Sequence, residues 1–120
     1  MSHIVSIQTK VHDPIAVAAA CARLNLAAPT QGTAQLFNGE ATGLLVQLPG
    51  WRYPLAIDTL SGTMKFDDYS GAWGDRRELD RFMQMYAVER VKLESRRRGN
   101  SVSEETLHDG SIKLHIPEAQ

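Results

Sequence analysis

One stretch constrains this chain more than any other: a bounded amphipathic helix between Trp73 and Gly99 that ends in three arginines. Asp75 and Glu78 form a D-x-x-E capping pattern, in which the first carboxylate accepts from backbone N–H groups at the helix start. Leu79, Phe82, Met83 and Tyr86 recur at helical spacing, and Leu93 continues the stripe two turns on. Gly99 suits the left-handed turn that stops a helix, and Arg96, Arg97 and Arg98 sit where the macrodipole favours cations. A helix over 75–98 with one buried face is therefore expected, and the rest of the chain must supply what it packs on.

The remaining segments read as short strands and one further helix. Val5, Ile7 and Thr9 alternate with Ser6 and Gln8, the period of a half-buried strand. Asp13-Pro14 starts a helix, with Asp13 as N-cap and Pro14 at the first helical position. Ile15, Ala18, Ala22 and Leu26 are spaced to face a core, and Asn25 tolerates the αL conformation that closes helices. Residues 27–32 read as a loop and 34–37 as a short strand. Asn38-Gly39 signals a hairpin. Strands follow over 42–48, 53–58 and 63–66, separated by Pro49-Gly50 and Ser61-Gly62. A last hairpin turns at Asp109-Gly110, and Pro117 ends it before a polar tail over 118–120. The order predicts an α+β fold: two helices on one face of a mainly antiparallel sheet, in a ferredoxin-like manner, as one domain over 1–117.

With 120 residues the chain can bury roughly two-thirds of its unfolded surface, so no staple of disulfide or metal is needed. The net charge of −1 gives no global drive toward DNA or acidic membranes. Cys21 is the single cysteine, lies in an alanine-rich apolar run, and is expected to be a buried thiol in a reducing compartment. The chain opens on a strand, so no signal peptide is expected, and no apolar run approaches the ~18 residues of a membrane span. A soluble cytoplasmic protein is the expectation.

Candidate functional residues are few. His3, His12, His108 and His115 form no metal-ligand spacing, and His3 stands out only for beginning the first strand. Asp67 and Asp68 lie beside Tyr69 and near Trp73; the ordinary reading is a solvated loop, and the functional one is a cation site or an acid/base pair. Trp51, in a Pro-Gly-Trp-Arg-Tyr turn, is harder to bury than most tryptophans; core or rim packing is its ordinary role and an aromatic contact surface its functional one. Trp73, just before the cap, reads as a staple over the first turn. Basic residues crowd between Arg76 and Arg98, and Arg96 to Arg98 offer either a solvated helix end or a salt-sensitive phosphate contact. Glu94 lies at i,i+4 from Arg98, where the two can pair. No P-loop, dinucleotide fingerprint or nucleophile elbow is present, and nothing calls for a cofactor. The candidate partner surface is thus Trp51, Tyr53, Trp73, Arg96, Arg97 and Arg98, with His3, Asp67 and Asp68 as candidate functional polar groups. A metal or enzymatic reading would draw on His3 with Asp67, Asp68 or Glu89.

Met1-Ser2-His3-Ile4, Thr9, Trp73-Gly74, the helix carrying Leu79, Phe82 and Tyr86, and Asp109-Gly110-Ser111-Ile112 follow one another in a characteristic order. In these the chain resembles a family of small uncharacterised proteins of bacteria, cyanobacteria and plastids, the chloroplast hypothetical reading frame thirty-five family. Residues matching recurring positions are His3, Trp73, Tyr86 and Asp109, whereas 27–60 departs from the pattern. The resemblance implies a stand-alone accessory or adaptor protein, with an ATPase of the AAA+ type as partner. It supplies no catalytic residues. Nucleic-acid binding through the basic helix end is the alternative, and association with a second copy is a further expectation.

Overall fold

The computed structural model describes residues 3–116, so the expected 118–120 tail, Pro117 and the Met1-Ser2 opening lie outside the described residues. The element order is β1 (Val5–Gln8), α1 (Pro14–Arg23), β2 (Thr30–Leu36), β3 (Gly39–Val46), β4 (Leu55–Asp58), β5 (Thr63–Phe66), α2 (Arg76–Arg97), β6 (Ser103–Thr106) and β7 (Ile112–His115). Five strands form one antiparallel sheet in the order β1-β5-β4-β3-β2, and β6 pairs with β7 alone. The coarse expectation of two helices over an antiparallel sheet is met. The ferredoxin-like order would return a strand to the sheet after the second helix, whereas among the described residues that part of the chain forms a separate hairpin.

Both helices end where local chemistry says they should. The Asp13 carboxylate accepts from the N–H groups of Ile15 and Ala16, with Pro14 at the first helical position. Asp75 accepts from the Arg77 N–H. Asn25 takes φ 57° just after α1. At the end of α2 the Asn100 N–H donates to the Ser95 carbonyl and the Gly99 N–H to the Arg96 carbonyl, the paired bonds of a Schellman closure with Gly99 at φ 80°.

One core lies between the helices and the sheet. Ala16, Val17, Ala20 and Cys21 of α1 and Leu79, Phe82 and Tyr86 of α2 pack on Val46, Leu55, Ile57, Met64 and Phe66. Small residues on α1 let it approach the sheet closely while it carries the chain from the β1 edge to the β2 edge. The expected inward face is corrected: Ile15, Ala18 and Ala22 are exposed and only Leu26 of that set borders the core, because the sheet takes the neighbouring face of Ala16, Val17, Ala20 and Cys21. Cys21 is buried as expected, and burial pushes its thiol pKa up. The Tyr86 hydroxyl finds its partners at the start of α1, accepting from the N–H groups of His12 and Asp13 at 3.2 Å each.

The hairpin β2–β3 departs from the expected boundaries. β2 begins at Thr30, inside the expected loop, and Leu36 pairs with Gly39, which makes Phe37-Asn38 the two-residue turn. β3 pairs with β2 from Gly39 to Leu45 but with β4 only from Leu44 to Val46. The two pairings part at Gly43, where a Cβ would lie 2.6 Å from the Ile57 carbonyl oxygen. Glycine in a strand marks such a corner. Beyond it the hairpin folds over the face of the sheet that the helices leave open. Leu36 and Ala41 pack with Ala56, bordered by Ile4, Leu45 and Tyr53. A Cβ on Gly39 would sit 3.4 Å from Ile4, a residue of the opposite edge of the sheet, so the hairpin spans that face from one side to the other.

The β6–β7 hairpin stands apart and is tied down by charge. Glu104 accepts from Arg23 at 2.9 and 3.0 Å and from Lys92 at 2.9 Å, and Arg23 also reaches buried Glu89 at 2.9 Å. Arg23 of α1, Glu89 and Lys92 of α2 and Glu104 of β6 thus form one network. The radius of gyration, 15.4 Å, exceeds the roughly 14 Å expected for this length.

Two outcomes follow from these constraints. Gly43→Ala is expected to cost about 1–3 kcal/mol, because the clash is with backbone. Gly32→Ala, facing it across the ladder with 3.8 Å to the Leu45 side chain, should change stability by less than about 0.5 kcal/mol. Urea unfolding of both variants checks this, and equal losses would place the corner elsewhere. Hydrogen bonds from Arg23 and then Lys92 pull the Glu104 carboxyl down to about 2. A carboxyl lowered on folding stabilises the fold above its unfolded value and loses that contribution as pH falls. Amide-exchange protection in β6 and β7 should therefore drop first between the ordinary glutamate value of about 4.3 and pH about 2, ahead of the sheet.

Candidate functional site

The segment between β5 and α2 carries the most unusual local chemistry in the described chain. Tyr69 and Ser70 adopt positive φ, 46° and 52°, and Gly71 follows at 97°. Each non-glycine residue held there costs on the order of 1–3 kcal/mol. The surroundings enforce it. Asp67 Oδ1 accepts from the Tyr69 N–H at 3.1 Å, and the Asp68 carbonyl accepts from the N–H groups of Gly71 and Trp73 at 3.0 and 2.9 Å. The Asp68 carboxylate meets the Arg76 Nε at 2.5 Å, and the Arg76 guanidinium lies 4.7 Å over the Phe66 ring.

These two aspartates correct the ordinary sequence reading of a solvated loop: both are buried, at 1% and 2% exposure. They also serve separate ends. Asp68 is an ion-pair partner for the first turn of α2, while Asp67 holds the strained turn through one oxygen and keeps Oδ2 buried without a hydrogen-bond partner among the described residues. The sequence does not announce that burial, since a D-D-Y-S-G run reads as exposed and only tertiary packing covers it.

The strained turn presents Tyr69 to Trp73. Their rings stack at 4.7 Å with a 24° interplanar angle. Phe37, at the tip of the β2–β3 hairpin, reaches the same indole at 5.3 Å, and Tyr53 meets it edge-on at 5.7 Å. The Arg52 guanidinium lies 4.8 Å from the Trp73 ring and 5.5 Å from that of Tyr53. Three aromatic rings and a cation, drawn from separate stretches of chain, thus converge on Trp73. Phe37 is 56% exposed and Tyr69 42%.

Trp51 requires a correction as a contact residue. It is buried, packs edge-on to Phe66 at 5.6 Å, and donates its Nε1–H to the Asp75 carbonyl at 3.0 Å. Gly74 lies directly against it, since a Cβ there would fall 2.4 Å from the indole. Trp73, expected as a staple over the helix, instead forms the centre of the aromatic cluster. Sequence reasoning retained Tyr53 and Trp73 but missed Phe37, Tyr69 and Arg52. An aromatic residue beside the Asn38-Gly39 hairpin signal was the available pointer to Phe37, whereas nothing in the sequence announces positive φ at a tyrosine.

The other candidates lie away from this cluster. Arg97 turns back to Asp13 at 3.6 Å and Glu94 at 3.1 Å, tying the end of α2 to the cap of α1. Glu94 takes Arg90 at 2.6 Å rather than the expected Arg98. Arg96 and Arg98 are exposed and make no ion pair among the described residues. Consecutive helical residues point about 100° apart, so the three arginines do not form one patch. His3 is exposed, and Glu89 belongs to the Arg23 network. Among the described residues no group of three His, Cys, Asp or Glu is placed to hold a metal ion. No described helix is long and apolar enough to cross a membrane.

No family model, curated protein or solved structure matches this chain. What the geometry defines is an aromatic surface centred on Trp73 with a guanidinium at its edge.

The turn supplies a direct check. Asp67→Asn preserves the acceptor for the Tyr69 N–H and should stay within about 1 kcal/mol of the parent. Asp67→Ala removes that acceptor and should cost about 1–3 kcal/mol, with a loss of near-ultraviolet circular dichroism from the Tyr69–Trp73 pair. Equal stability of the two variants would mean that Asp67 does not hold the turn.

Proposed function

We propose that this chain is a non-enzymatic accessory module of the cytoplasm that docks a protein partner on the aromatic surface around Trp73. The observation that carries the reading is the exposure of Phe37 and Tyr69 on rings held against Trp73. Aromatic and arginine side chains dominate the energetics of protein interfaces, and rings held in place before binding lose little entropy when a partner arrives. Strain kept at Tyr69 and Ser70 fits a loop shaped for binding rather than for stability. The partner proposed is an ATPase of the AAA+ type, on the strength of the resemblance to the plastid and bacterial family.

A second reading, electrostatic nucleic-acid binding, is supported by the exposed Arg96 and Arg98, which have no ion-pair partner among the described residues.

Tagged protein captured from its native host separates the two. With Phe37→Ser and Tyr69→Ser, each tested singly, capture of a specific protein should fall at least about tenfold while the variant stays folded, its melting temperature lowered by no more than about 10 °C for the lost contact with Trp73. Arg96→Ala with Arg98→Ala should leave it intact. Capture unaffected by the aromatic substitutions would overturn the docking surface, and recovery of nucleic acid that is lost with salt and with the arginines would favour the second reading.

A further inference from the structure

Where the β2–β3 hairpin folds over the sheet it leaves a hollow at its root, well away from the aromatic cluster. The walls are Thr42, Ala56, Asp58, Ser61, Thr63 and Lys65, around about 200 Å³. An adjoining hollow of about 510 Å³ shares Thr42 and Asp58 and opens past Gly43 toward Leu60. The space exists because β3 leaves β4 at Gly43, so Asp58 has a ladder partner in β5 but none in β3.

The lining has an unusual charge arrangement. Asp58 uses one carboxylate oxygen to accept from the Leu60 N–H at 3.0 Å, and the other makes no hydrogen bond among the described residues. The Lys65 ammonium makes neither a hydrogen bond nor an ion pair among them. The register pairs Asp58 with Thr63 and Ala56 with Lys65, so the two charges are diagonal neighbours on one face, separated by about 7–8 Å at the backbone. They line the same hollow without neutralising each other. The hydroxyls around them are pre-set: Ser61 Oγ donates to Thr63 Oγ1 at 3.0 Å, Thr63 Oγ1 donates to Gln8 at 3.3 Å, and Thr42 and Thr33 share a 2.7 Å bond.

We propose that this hollow binds a small zwitterion of the α-amino acid class, its ammonium on Asp58 and its carboxylate on Lys65. Each end then makes a charge-assisted hydrogen bond of about 2.8 Å, and the diagonal spacing leaves room for the ligand between them. A hollow of about 200 Å³ has room for a ligand as small as serine. The Ser61, Thr63 and Thr42 hydroxyls suit a polar side chain. The proposal is independent of the partner surface at Trp73.

Titration of the ¹⁵N-labelled full chain with L-serine, serinamide and N-acetylserine tests it. Serine should shift the amides of Thr42, Asp58, Ser61, Thr63 and Lys65 saturably, and each analogue, lacking one charge, should bind at least about tenfold more weakly. Asp58→Asn and Lys65→Met should each weaken serine by about tenfold or more, with spectra otherwise like the parent. The amide introduced by Asp58→Asn keeps an acceptor for the Leu60 N–H, so that variant retains the loop. Shifts that do not saturate by roughly 10 mM, equal responses to all three probes, or binding unchanged in both variants would each overturn the proposal.

Discussion

The contact between the Trp51 indole and the Gly74 backbone sets the position of everything around the candidate site. Trp51 reaches from the turn after β3 to the start of α2, packs on Phe66, and donates to the Asp75 carbonyl. A residue with a Cβ at 74 would fill the space the indole occupies. With that contact made, the Arg52 N–H meets the Trp73 carbonyl at 2.8 Å, and the 51–53 turn, Trp73 and the cap of α2 are fastened together. The aromatic cluster is the outward side of this junction. The tryptophan that anchors it, Trp51, is itself buried.

A second constraint is the corner at Gly43, and it links the two ends of one hairpin to two different chemistries. The tip brings Phe37 to Trp73, and the root opens the hollow beside Asp58 and Lys65. Backbone geometry at one residue therefore decides both the composition of the exposed aromatic surface and the existence of a polar hollow. The open face of the sheet, which would otherwise expose Ala56 and Leu45, is covered by the chain's own hairpin.

Charge organises the far end of the molecule instead. Glu89 is buried and Glu104 lies partly covered, and both are answered by Arg23, with Lys92 beside them. Burying a carboxylate is costly unless it is paired and hydrogen-bonded. The network meets that condition while fastening a two-stranded hairpin that makes no ladder contact with the main sheet. Arg97 plays a similar role across the helix ends, which is why one of the three terminal arginines is committed to structure.

Local signals were enough to define the elements. The caps at Asp13 and Asp75, Pro14, the closure at Gly99, the alternation in β1, and the turn at Asp109-Gly110 all rest on residues near in sequence, and each is found where the sequence placed it. The burial of Cys21 agrees with its apolar surroundings in the sequence, but the period of α1 pointed to the wrong face: Ile15, Ala18 and Ala22 are exposed, since an alanine-rich helix offers two nearly equivalent faces and the sheet chooses between them. What the sequence left open were choices between equivalent readings: which tryptophan is buried, whether Asp67 and Asp68 are solvated, and which aromatic rings share a surface. Those depend on contacts across the fold. The bend at Gly43 brings Phe37 to Trp73, Gly74 admits Trp51, and the hydrogen bond from Tyr69 to Asp67 helps hold a conformation that the tyrosine would not adopt alone. Capping and periodicity act over a few residues and are written into the chain; burial and ring placement are collective, and only the tertiary structure decides them.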